Sequence, residues 1–520
     1  MKNENIYEHR DGANTSIWET VAINSDGQTP LPDQVYDVII IGAGITGVTT
    51  ALQLQQQGKR CLLVEARQSG FGTTGGTTAH LNTFLDTTYP EIDSAFGKDA
   101  SKLVAKATKK SIQNIYQNLT EIGFDADFVY LDGYLFSQND EETKMLNNIF
   151  ESAVEAGVDV EVCNENGLPI KFDRSIKFLN QAQFHPLKYI QGLLTEFQRL
   201  GGIYLDKILI DETRAENEIQ NAYSNGLAFK GKNIVWSTHI PPGINVLSLR
   251  NAPYRSYVLA VRLKNEDYPQ SLSYDSKEPY HYFRTHEIGN KKYLIIGGED
   301  HKTGHDDSLE AFNKLEEFAH QHFDILSIDF RWSSQYYVPV DGLPYIGLLP
   351  GENNVYVSTG YNGNGMIFGT IAGTIISDLI LDKPNELAEL LKPSRLKPVA
   401  GFKEFVKENA DVAYHFVADR FNLKSLLSLK DLATDEGKIV SVDGQKLAIY
   451  KTDGGEIKAL NAVCTHAGCI VAWNRAEKSW DCPCHGGRFA IDGSVLTGPP
   501  TKCLATVEIH ENGDKSIMIK

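Results

Sequence analysis

Two short motifs near the C-terminal end of the chain each combine cysteine with histidine. The first reads Cys-Thr-His and the second reads Cys-Pro-Cys-His. The four candidate metal ligands are Cys464, His466, Cys482 and His485. Two loops that each offer a thiolate and an imidazole are typical of an iron–sulfur cluster or of a zinc site. On a [2Fe–2S] cluster, exchange of two thiolates for two imidazoles raises the reduction potential and makes it depend on imidazole protonation.

The distribution of cysteines supports a single metal site. Five of the seven cysteines lie in this C-terminal region. An extracellular disulfide framework spreads its cysteines over the chain, so the clustering favours one metal site in a reducing compartment. A Cys2His2 zinc site does not account for the additional pair, Cys469 and Cys484. The remaining cysteines, Cys61, Cys163 and Cys503, are expected to be ordinary buried thiols.

The segment from about residue 423 to residue 520 resembles a Rieske domain, whose pattern is Cys-x-His followed, after a spacer, by Cys-x-x-His. Short predicted strands and Asp-Gly turns in this segment fit a small β domain. The resemblance implies a [2Fe–2S] cluster on the four ligands named above. It also implies a disulfide between Cys469 and Cys484, because the equivalent cysteines of respiratory Rieske proteins tie the two cluster loops together.

Two positions beside the cluster motif depart from the high-potential Rieske pattern. That pattern has serine and tyrosine where this chain has Gly487 and Phe489. Hydrogen bonds to the cluster sulfurs stabilise the reduced state, so the loss of both hydroxyls lowers the potential. We expect a midpoint in the lower half of the Rieske range of roughly −150 to +300 mV.

A nucleotide-binding motif opens the first half of the chain. A β-branched run over Val35–Ile41 is followed by Gly42-Ala-Gly44-Ile-Thr-Gly47, a helical pattern and a second apolar run that ends at Glu65. Glycines in this turn allow close approach of a pyrophosphate to a helix N-terminus, and an acid at this distance accepts ribose hydroxyls. The spacing therefore predicts a βαβ dinucleotide site.

Three further segments favour FAD over NAD: a small-residue loop at 71–79 and glycine-rich turns at 341–347 and 359–369. With these motifs the chain resembles the FAD-dependent oxidoreductases of the D-amino-acid oxidase and sarcosine oxidase superfamily, and more closely a bacterial subfamily that fuses such a flavoprotein to a C-terminal Rieske domain. The resemblance leaves covalent attachment of FAD through His80 open, with non-covalent binding expected. The implied FAD-binding residues are Gly42, Gly44, Ile45, Thr46, Gly47, Glu65, Thr74, Gly75, Thr77, Thr78, Asp341, Gly363, Gly365 and Met366.

The expected fold is an α/β, Rossmann-like FAD-binding domain with an interleaved α+β substrate domain, followed by the small all-β Rieske domain. We assign an N-terminal extension to 1–34, the flavoprotein to 35–400, a helical linker to 401–422 and the Rieske domain to 423–520. Within the flavoprotein, the FAD-binding parts are about 35–112, 180–240 and 335–385, and the substrate parts are about 113–180 and 245–335. Helices are predicted at 101–122, 141–157 and 189–200.

In this superfamily the flavin oxidises a carbon–nitrogen bond, and binding and orientation of the substrate do most of the work. The candidate substrate-side residues are Arg255, Tyr257, Tyr282 and Arg284. Of these, Arg284 is the candidate for bidentate binding of a carboxylate. His185, which precedes a proline, is expected to be structural. The imidazole edge of His466 or His485 is the expected point at which electrons enter or leave.

Three functions remain open from the sequence. The first is a dehydrogenase that oxidises an amine or amino acid and passes electrons through the cluster to a partner protein or small carrier. In the second, the cluster delivers electrons to the flavin for a reductive or oxygen-dependent reaction. The third is a redox carrier or sensor. The sequence identifies neither the substrate nor the electron partner, the direction of flow or the oligomeric state.

The net charge and the hydropathy of the chain indicate which partners and which cellular location to expect. A formal net charge of −17 without a basic cluster disfavours nucleic acid as a partner. The simpler explanation of this acidity is that it keeps the protein in solution. The alternative is an acidic docking face for a basic redox partner. The polar N-terminus lacks the pattern of a signal peptide, and no stretch reaches about 18 apolar residues. We therefore expect a cytoplasmic protein without a membrane anchor.

Overall fold

A computed structural model describes residues 12–20, 34–224, 226–243, 245–396, 432–511 and 517–519. The predicted linker helix at 401–422 and most of the predicted N-terminal extension lie outside these residues. Among the described helices, none combines the length and the apolar character needed to cross a membrane.

The helices comprise one short 3-10 turn and nine α-helices. The 3-10 turn is Ile17–Thr20, and the α-helices are α1 Ile45–Gln56, α2 Thr73–Gly76, α3 Tyr89–Phe96, α4 Lys98–Ile122, α5 Asp140–Ala156, α6 Pro186–Arg199, α7 Ser308–His322, α8 Gly365–Ile380 and α9 Glu386–Leu391. These are the helices of the described ranges.

The strands before the linker form two sheets. They are β1 Val35–Ile41, β2 Cys61–Val64, β3 His80–Leu81, β4 Val129–Ser137, β5 Val160–Cys163, β6 Arg174–Gln183, β7 Ile203–Leu205, β8 Glu212–Glu216, β9 Ile219–Ser224, β10 Leu227–Trp236, β11 Asn251–Leu263, β12 Leu272–Asp275, β13 Tyr282–Ile288, β14 Lys291–Lys302, β15 Ile325–Pro339, β16 Tyr345–Leu348 and β17 Val355–Thr359.

The first sheet has the order β16-β17-β10-β1-β2-β7, with the β8–β9 hairpin attached to β10. Its central strands pair in parallel, and β1 lies between β10 and β2. The strands of this parallel core are buried and rich in branched apolar residues, as expected where helices cover both faces. The carboxyl ends of β1 and β10 therefore meet at one edge, where ligands of such sheets bind.

The second sheet has the order β15-β11-β14-β13-β12-β4-β6-β3, with β5 paired to β6. It is antiparallel except for the β12–β4 pair. Its strands come from 80–183 and 251–339, so the chain passes between the two sheets repeatedly. This interleaving agrees with the expected fold class, but β3 joins the second sheet although it lies inside the segment assigned to FAD binding.

In the described residues 432–511 and 517–519, the C-terminal unit contains strands and no helix. They are β18 Glu436–Val442, β19 Gln445–Lys451, β20 Ile457–Asn461, β21 Ala472–Asn474, β22 Ser479–Asp481, β23 Arg488–Phe489, β24 Val495–Thr497, β25 Ile509–Glu511 and β26 Ile517–Ile519. They form sheets of three, four and two strands, and their apolar residues make a core separate from that of the flavoprotein.

The predicted helices are present with shifted ends. Helix α4 begins at Lys98, earlier than predicted. Helices α4 and α5 are followed directly by Gly123 and Gly157, whose positive φ angles fit the left-handed residue that terminates a helix. Helix α6 begins at Pro186, because His185 caps it by accepting a hydrogen bond from the Lys188 amide at 3.3 Å. His185 is fully buried, so its predicted structural role is confirmed.

Candidate active site and metal centre

The turn between β1 and α1 has the geometry that a pyrophosphate site requires. Gly42 has φ +100°, and a Cβ at Gly47 would lie 1.8 Å from the Gly42 carbonyl oxygen. Only glycine therefore lets the helix approach the strand so closely. The Glu65 carboxylate accepts hydrogen bonds from the amides of Ala43 at 2.8 Å and Arg67 at 2.9 Å. These bonds hold the carboxylate at the carboxyl end of β2, where ribose hydroxyls are bound in such folds.

Replacement of Gly47 by alanine should weaken flavin binding. The new Cβ meets backbone, which has no room to move without displacing α1, and overpacking of this kind costs about 1–3 kcal/mol. We expect flavin affinity to fall about tenfold or more, measured as flavin retained per chain after gel filtration. Gly454→Ala is the control, since its Cβ would meet no atom closer than 3.8 Å. Unchanged flavin content in Gly47→Ala would contradict the assignment.

A cavity of about 530 Å³ runs from Glu65 across the turn to the second sheet. Most of the predicted FAD-binding residues line it. They are Gly42, Gly44, Ile45, Thr46, Glu65, Thr74, Thr77, Thr78, Gly363, Gly365 and Met366. Gly47 and Gly75 lie behind this lining, where Gly47 packs on the turn and the Gly75 carbonyl accepts a hydrogen bond from Ser16. The shape and glycine lining fit a long dinucleotide cofactor.

Arg284 does not reach the cavity. Its guanidinium is fully buried and donates to the carbonyl oxygens of Thr78, Ala79 and Phe184 at 2.8–3.2 Å. Burial lowers the pKa of Arg284 to about 9. One terminal nitrogen of the guanidinium binds these carbonyls and the other contacts His286, and Arg284 does not line the cavity. The predicted role of Arg284 in binding a substrate carboxylate is therefore wrong, and the residue instead fixes the loop that precedes β3.

Arg255 and Tyr257 also lie outside the cavity. Successive side chains of a strand point to opposite faces, and on β11 it is Ser256 and Val258 that line the cavity. Arg255 is 1% exposed and Tyr257 is 0% exposed on the other face. Their proposed substrate-side role is therefore wrong, because the strand presents the alternate set of residues. Tyr282 is the one of the four candidates that lines the cavity.

Asp341 is the FAD-binding candidate that the structure places elsewhere. Its carboxylate forms a bidentate ion pair with Arg395, with distances of 2.9 and 2.7 Å, and both side chains are nearly buried. Charge-assisted pairs of this geometry are strong and directional. Asp341 therefore anchors the segment after α9 to the turn before β16 and has no contact with the cavity.

His80 lines the cavity with both ring nitrogens engaged. Nδ1 lies 2.9 Å from the Thr78 hydroxyl and Nε2 lies 3.3 Å from the Phe283 carbonyl oxygen. Since a carbonyl only accepts, Nε2 carries the proton and Nδ1 accepts from Thr78. Burial lowers the pKa of His80 to about 3, so the ring is neutral.

The four predicted metal ligands converge in the C-terminal unit. Cys464 and Cys482 are buried, and the rings of His466 and His485 lie 5.0 Å apart. The Nδ1 atoms of both histidines are buried without a hydrogen-bond partner among the described residues. His466 donates from Nε2 to the Gly243 carbonyl at 3.1 Å, which leaves its Nδ1 unprotonated for a metal. The donor set and these unpartnered nitrogens fit a [2Fe–2S] cluster.

A disulfide joins Cys469 to Cys484, as expected. These sulfur atoms lie close to that of Cys482, at distances that would suit a three-cysteine metal site. The disulfide excludes that site, because two of its three thiols are already bonded to each other. Cys61 is buried and Cys163 half-buried, whereas Cys503 is exposed, so its predicted burial is wrong.

Phe489 and Gly487 occupy the two positions that distinguish this cluster from the high-potential type. Phe489 is fully buried. A Cβ at Gly487 would lie 3.7 Å from the Cys464 sulfur but only 2.7 Å from Pro500, so serine is sterically disfavoured there. Pro500 therefore leaves room only for glycine at position 487, and no side-chain hydroxyl lies there beside the cluster.

Phe489→Tyr should raise the midpoint potential of the cluster. One added hydrogen bond to a charged acceptor, worth about 1.4 kcal/mol, corresponds to about +60 mV for one electron. Potentiometric titration followed by electron paramagnetic resonance measures the shift. Tyr450→Phe is the control, since its hydroxyl donates to Asp435 at 2.6 Å. An unchanged potential in Phe489→Tyr would show that the missing hydroxyl does not set the potential.

The cluster loops pack directly on the flavoprotein. Tyr337 donates its hydroxyl to the His485 carbonyl at 2.9 Å, and Gln335 donates to the Gly486 carbonyl at 2.9 Å. The Tyr337 ring also meets His239 edge-on, with centroids 4.7 Å apart, and His239 lines the cavity. His485 is 5% exposed. The His485 imidazole therefore lies against the flavoprotein and not in open solvent, whereas His466 is half-buried and contacts the flavoprotein through the Gly243 carbonyl.

The C-terminal unit also closes one side of the cavity. Part of its lining comes from residues 494–501 and Cys503. Arg67, beside Glu65, donates to the Val495 carbonyl at 2.5 Å. The cofactor cavity is thus formed by both units. No motif in 494–503 predicts this contact, because it depends on how two separately folded units pack.

These features define an FAD-dependent oxidoreductase with a second redox centre. The family model of FAD-dependent oxidoreductases (DAO) matches residues 37–379, and that of the Rieske [2Fe–2S] domain matches residues 423–508. The chain belongs to the DAO family of FAD-dependent oxidoreductases and carries a C-terminal Rieske domain. It is an enzyme whose cofactors are FAD and a [2Fe–2S] cluster.

Individual proteins agree with this assignment. The chain is 32% identical to YhfW of Bacillus subtilis, described as a Rieske 2Fe-2S iron-sulfur protein, over 92% of this chain and 94% of that one. It is 23% identical to gamma-glutamylputrescine oxidoreductase of Escherichia coli, over 66% of this chain and 83% of that one. Glycine oxidase from Geobacillus kaustophilus shares the fold, with a TM-score of 0.58 at 18% identity, over 69% of this chain and 99% of that one.

Proposed function

We propose that the protein oxidises a carbon–nitrogen bond of an amine or amino acid at FAD and passes the electrons through the Rieske cluster to a partner protein or small carrier. Bound FAD supplies the chemistry by accepting a hydride from the carbon next to nitrogen. The residues of this chain have to bind the substrate, orient it and exclude water. The similarity to an oxidoreductase of an amine, gamma-glutamylputrescine, supports this class of substrate.

The position of Tyr337 between the cavity-lining residue His239 and the cluster loop carries the proposal. Its ring touches His239 at the cavity, and its hydroxyl holds the backbone of the cluster ligand His485. Tyr337 is fully buried, so one side chain spans the space between cavity and cluster loop. His466 is fixed to the flavoprotein through Gly243. This arrangement supports electron exchange between flavin and cluster within one chain.

Anaerobic addition of amines and amino acids tests the proposal. The flavin absorption should bleach, and the electron paramagnetic resonance signal of the reduced cluster should then appear. Cys464→Ser, which removes one cluster ligand, should bleach equally but give no cluster signal. If no such compound bleaches the flavin while a reductase reduces the cluster, electrons flow in the other direction and the proposal fails.

A further inference from the structure

The end of the cavity away from Glu65 is lined by carboxyl groups and phenol rings. They are Asp86, Asp300, Tyr274, Tyr280, Tyr282 and Tyr336. Tyr336 donates to Asp300 at 2.8 Å, and Ser256 donates to the other oxygen of that carboxyl at 2.5 Å. The Tyr282 hydroxyl lies 2.7 Å from the Ser256 hydroxyl, which extends this hydrogen-bonded chain.

The second carboxyl is held in a similar way. Asp86 accepts a hydrogen bond from Tyr280 at 3.0 Å and one from the Gly363 amide at 2.5 Å. The hydroxyl of Tyr274, a residue only 4% exposed, has no hydrogen-bond partner among the described residues. A buried polar atom without a partner is costly, so a hydroxyl in this position at a cavity indicates a ligand with a polar group.

Within the described part of the chain, no arginine or lysine that lines the cavity lies beside these carboxyl groups. Among the described residues that line the cavity, the arginine and lysine are Arg67 and Lys207, and both lie at the Glu65 end, where the Lys207 amide donates to the Arg67 carbonyl. Burial raises the pKa of Asp300 to about 7, with Asp86 raising it further and His281 opposing. Burial raises the pKa of Asp86 as well.

We propose that this end of the cavity binds a substituted ammonium cation, so that the substrate is an amine recognised by its positive charge and not an amino acid held by its carboxylate. The inference rests on the proposed function and narrows its substrate class. Carboxylates attract an ammonium group, and the faces of tyrosine rings bind cations through their quadrupoles. A substrate carboxylate would instead face Asp86 and Asp300 with no guanidinium to offset their charge.

Binding of an inert cation to the holoenzyme tests the inference. Tetramethylammonium, titrated while the flavin spectrum is recorded, should perturb that spectrum without bleaching it. Neutral tert-butanol, of similar size, and the anion benzoate are the comparison ligands. Asp300→Asn and Asp86→Asn should each weaken tetramethylammonium binding about tenfold, and Asp267→Asn, an exposed position, should leave it unchanged. Flavin content and the cluster signal of each variant report folding.

Protonation gives a second measurement. The charged and titratable groups that face Asp300 are Asp86, Tyr280, His281, Tyr282 and Tyr336. Tetramethylammonium binding should weaken as the pH falls from about 8 to 6, because the carboxyl takes up a proton, and Asp300→Asn should lose this dependence. Tyrosines remain neutral in this range, because burial raises their pKa values further.

The outcomes separate this inference from the function on which it rests. Tighter binding of benzoate than of tetramethylammonium, or equal tetramethylammonium affinity in both aspartate variants and the native protein, would overturn the inference. Binding of the cation while no amine bleaches the flavin would support the inference and overturn the proposed function. Bleaching by amino acids together with benzoate binding would support the function and overturn the inference.

Discussion

Glu477→Ala should loosen the Rieske domain from the flavoprotein and slow electron transfer between the two centres. Glu477 lies between β21 and β22 and is 1% exposed. It accepts a short hydrogen bond from Ser333, and its carboxylate lies 3.9 Å from the guanidinium of Arg255, itself 1% exposed. Removing one partner of a buried ion pair leaves an uncompensated charge and costs about 3–5 kcal/mol. That penalty falls on the contact between the domains.

The N-terminal segment strengthens this contact. The Ala13 amide donates to the Glu477 carbonyl at 3.0 Å, and Asn14 donates to the Ala476 carbonyl at 2.9 Å. A few residues later, Trp18 donates to the Thr77 carbonyl in the loop that lines the cavity. The segment therefore joins the Rieske domain to the cofactor loop. The Asn14 amide also donates to the Glu477 carboxylate at 3.3 Å, and Glu477→Ala removes this bond.

Stopped-flow spectroscopy under anaerobic conditions measures the effect of Glu477→Ala. The flavin should still bleach with substrate, and the cluster should keep its spectrum, but its reduction should lag behind. Glu477→Gln keeps the hydrogen bond from Ser333 and should have a smaller effect. Glu456→Gln, an exposed carboxylate of the same domain, is the control. Equal transfer rates in Glu477→Ala and the native protein would show that this ion pair does not hold the domains together.

Local spacing was enough to predict most of the residues that line the cavity and the four cysteine and histidine side chains that come together in the C-terminal unit, but not the position of Asp341. The Gly42–Gly47 turn, Glu65 and the Cys–His pairs are each defined within a few residues, and a short segment adopts nearly the same geometry wherever it occurs. Dependence on long-range packing explains what was missed. On β11, the register decides whether Ser256 or its neighbours Arg255 and Tyr257 face the cavity, and the β11–β14 pairing shifts between those two neighbours.

The prediction for Arg284 failed for a different reason. Alternation along β13 places it on the same side as Tyr282, which does line the cavity. The carbonyls of Thr78 and Ala79 nevertheless cover it, since the loop before β3 crosses the sheet at that point. A contact between residues so far apart in sequence has no local signal. The same holds for Asp300, whose partner Tyr336 comes from another strand.

Replacing both Cys469 and Cys484 with alanine should destabilise the cluster while leaving the flavin in place. The bond links two loops separated by 15 residues, and a closed loop of this size stabilises a fold by about 3 kcal/mol. Both cysteines are buried in the core of the Rieske domain, which is separate from the core around the FAD site. The loss therefore acts on the loops that carry Cys464, His466, Cys482 and His485. Iron per chain should fall well below that of the native protein, whereas flavin per chain should be retained.

Cys503→Ser, an exposed thiol of the same domain, is the matched control and should retain its iron. Full iron content and an unchanged cluster signal in the double variant would show that packing against Tyr337 and Gln335 alone keeps the two loops together.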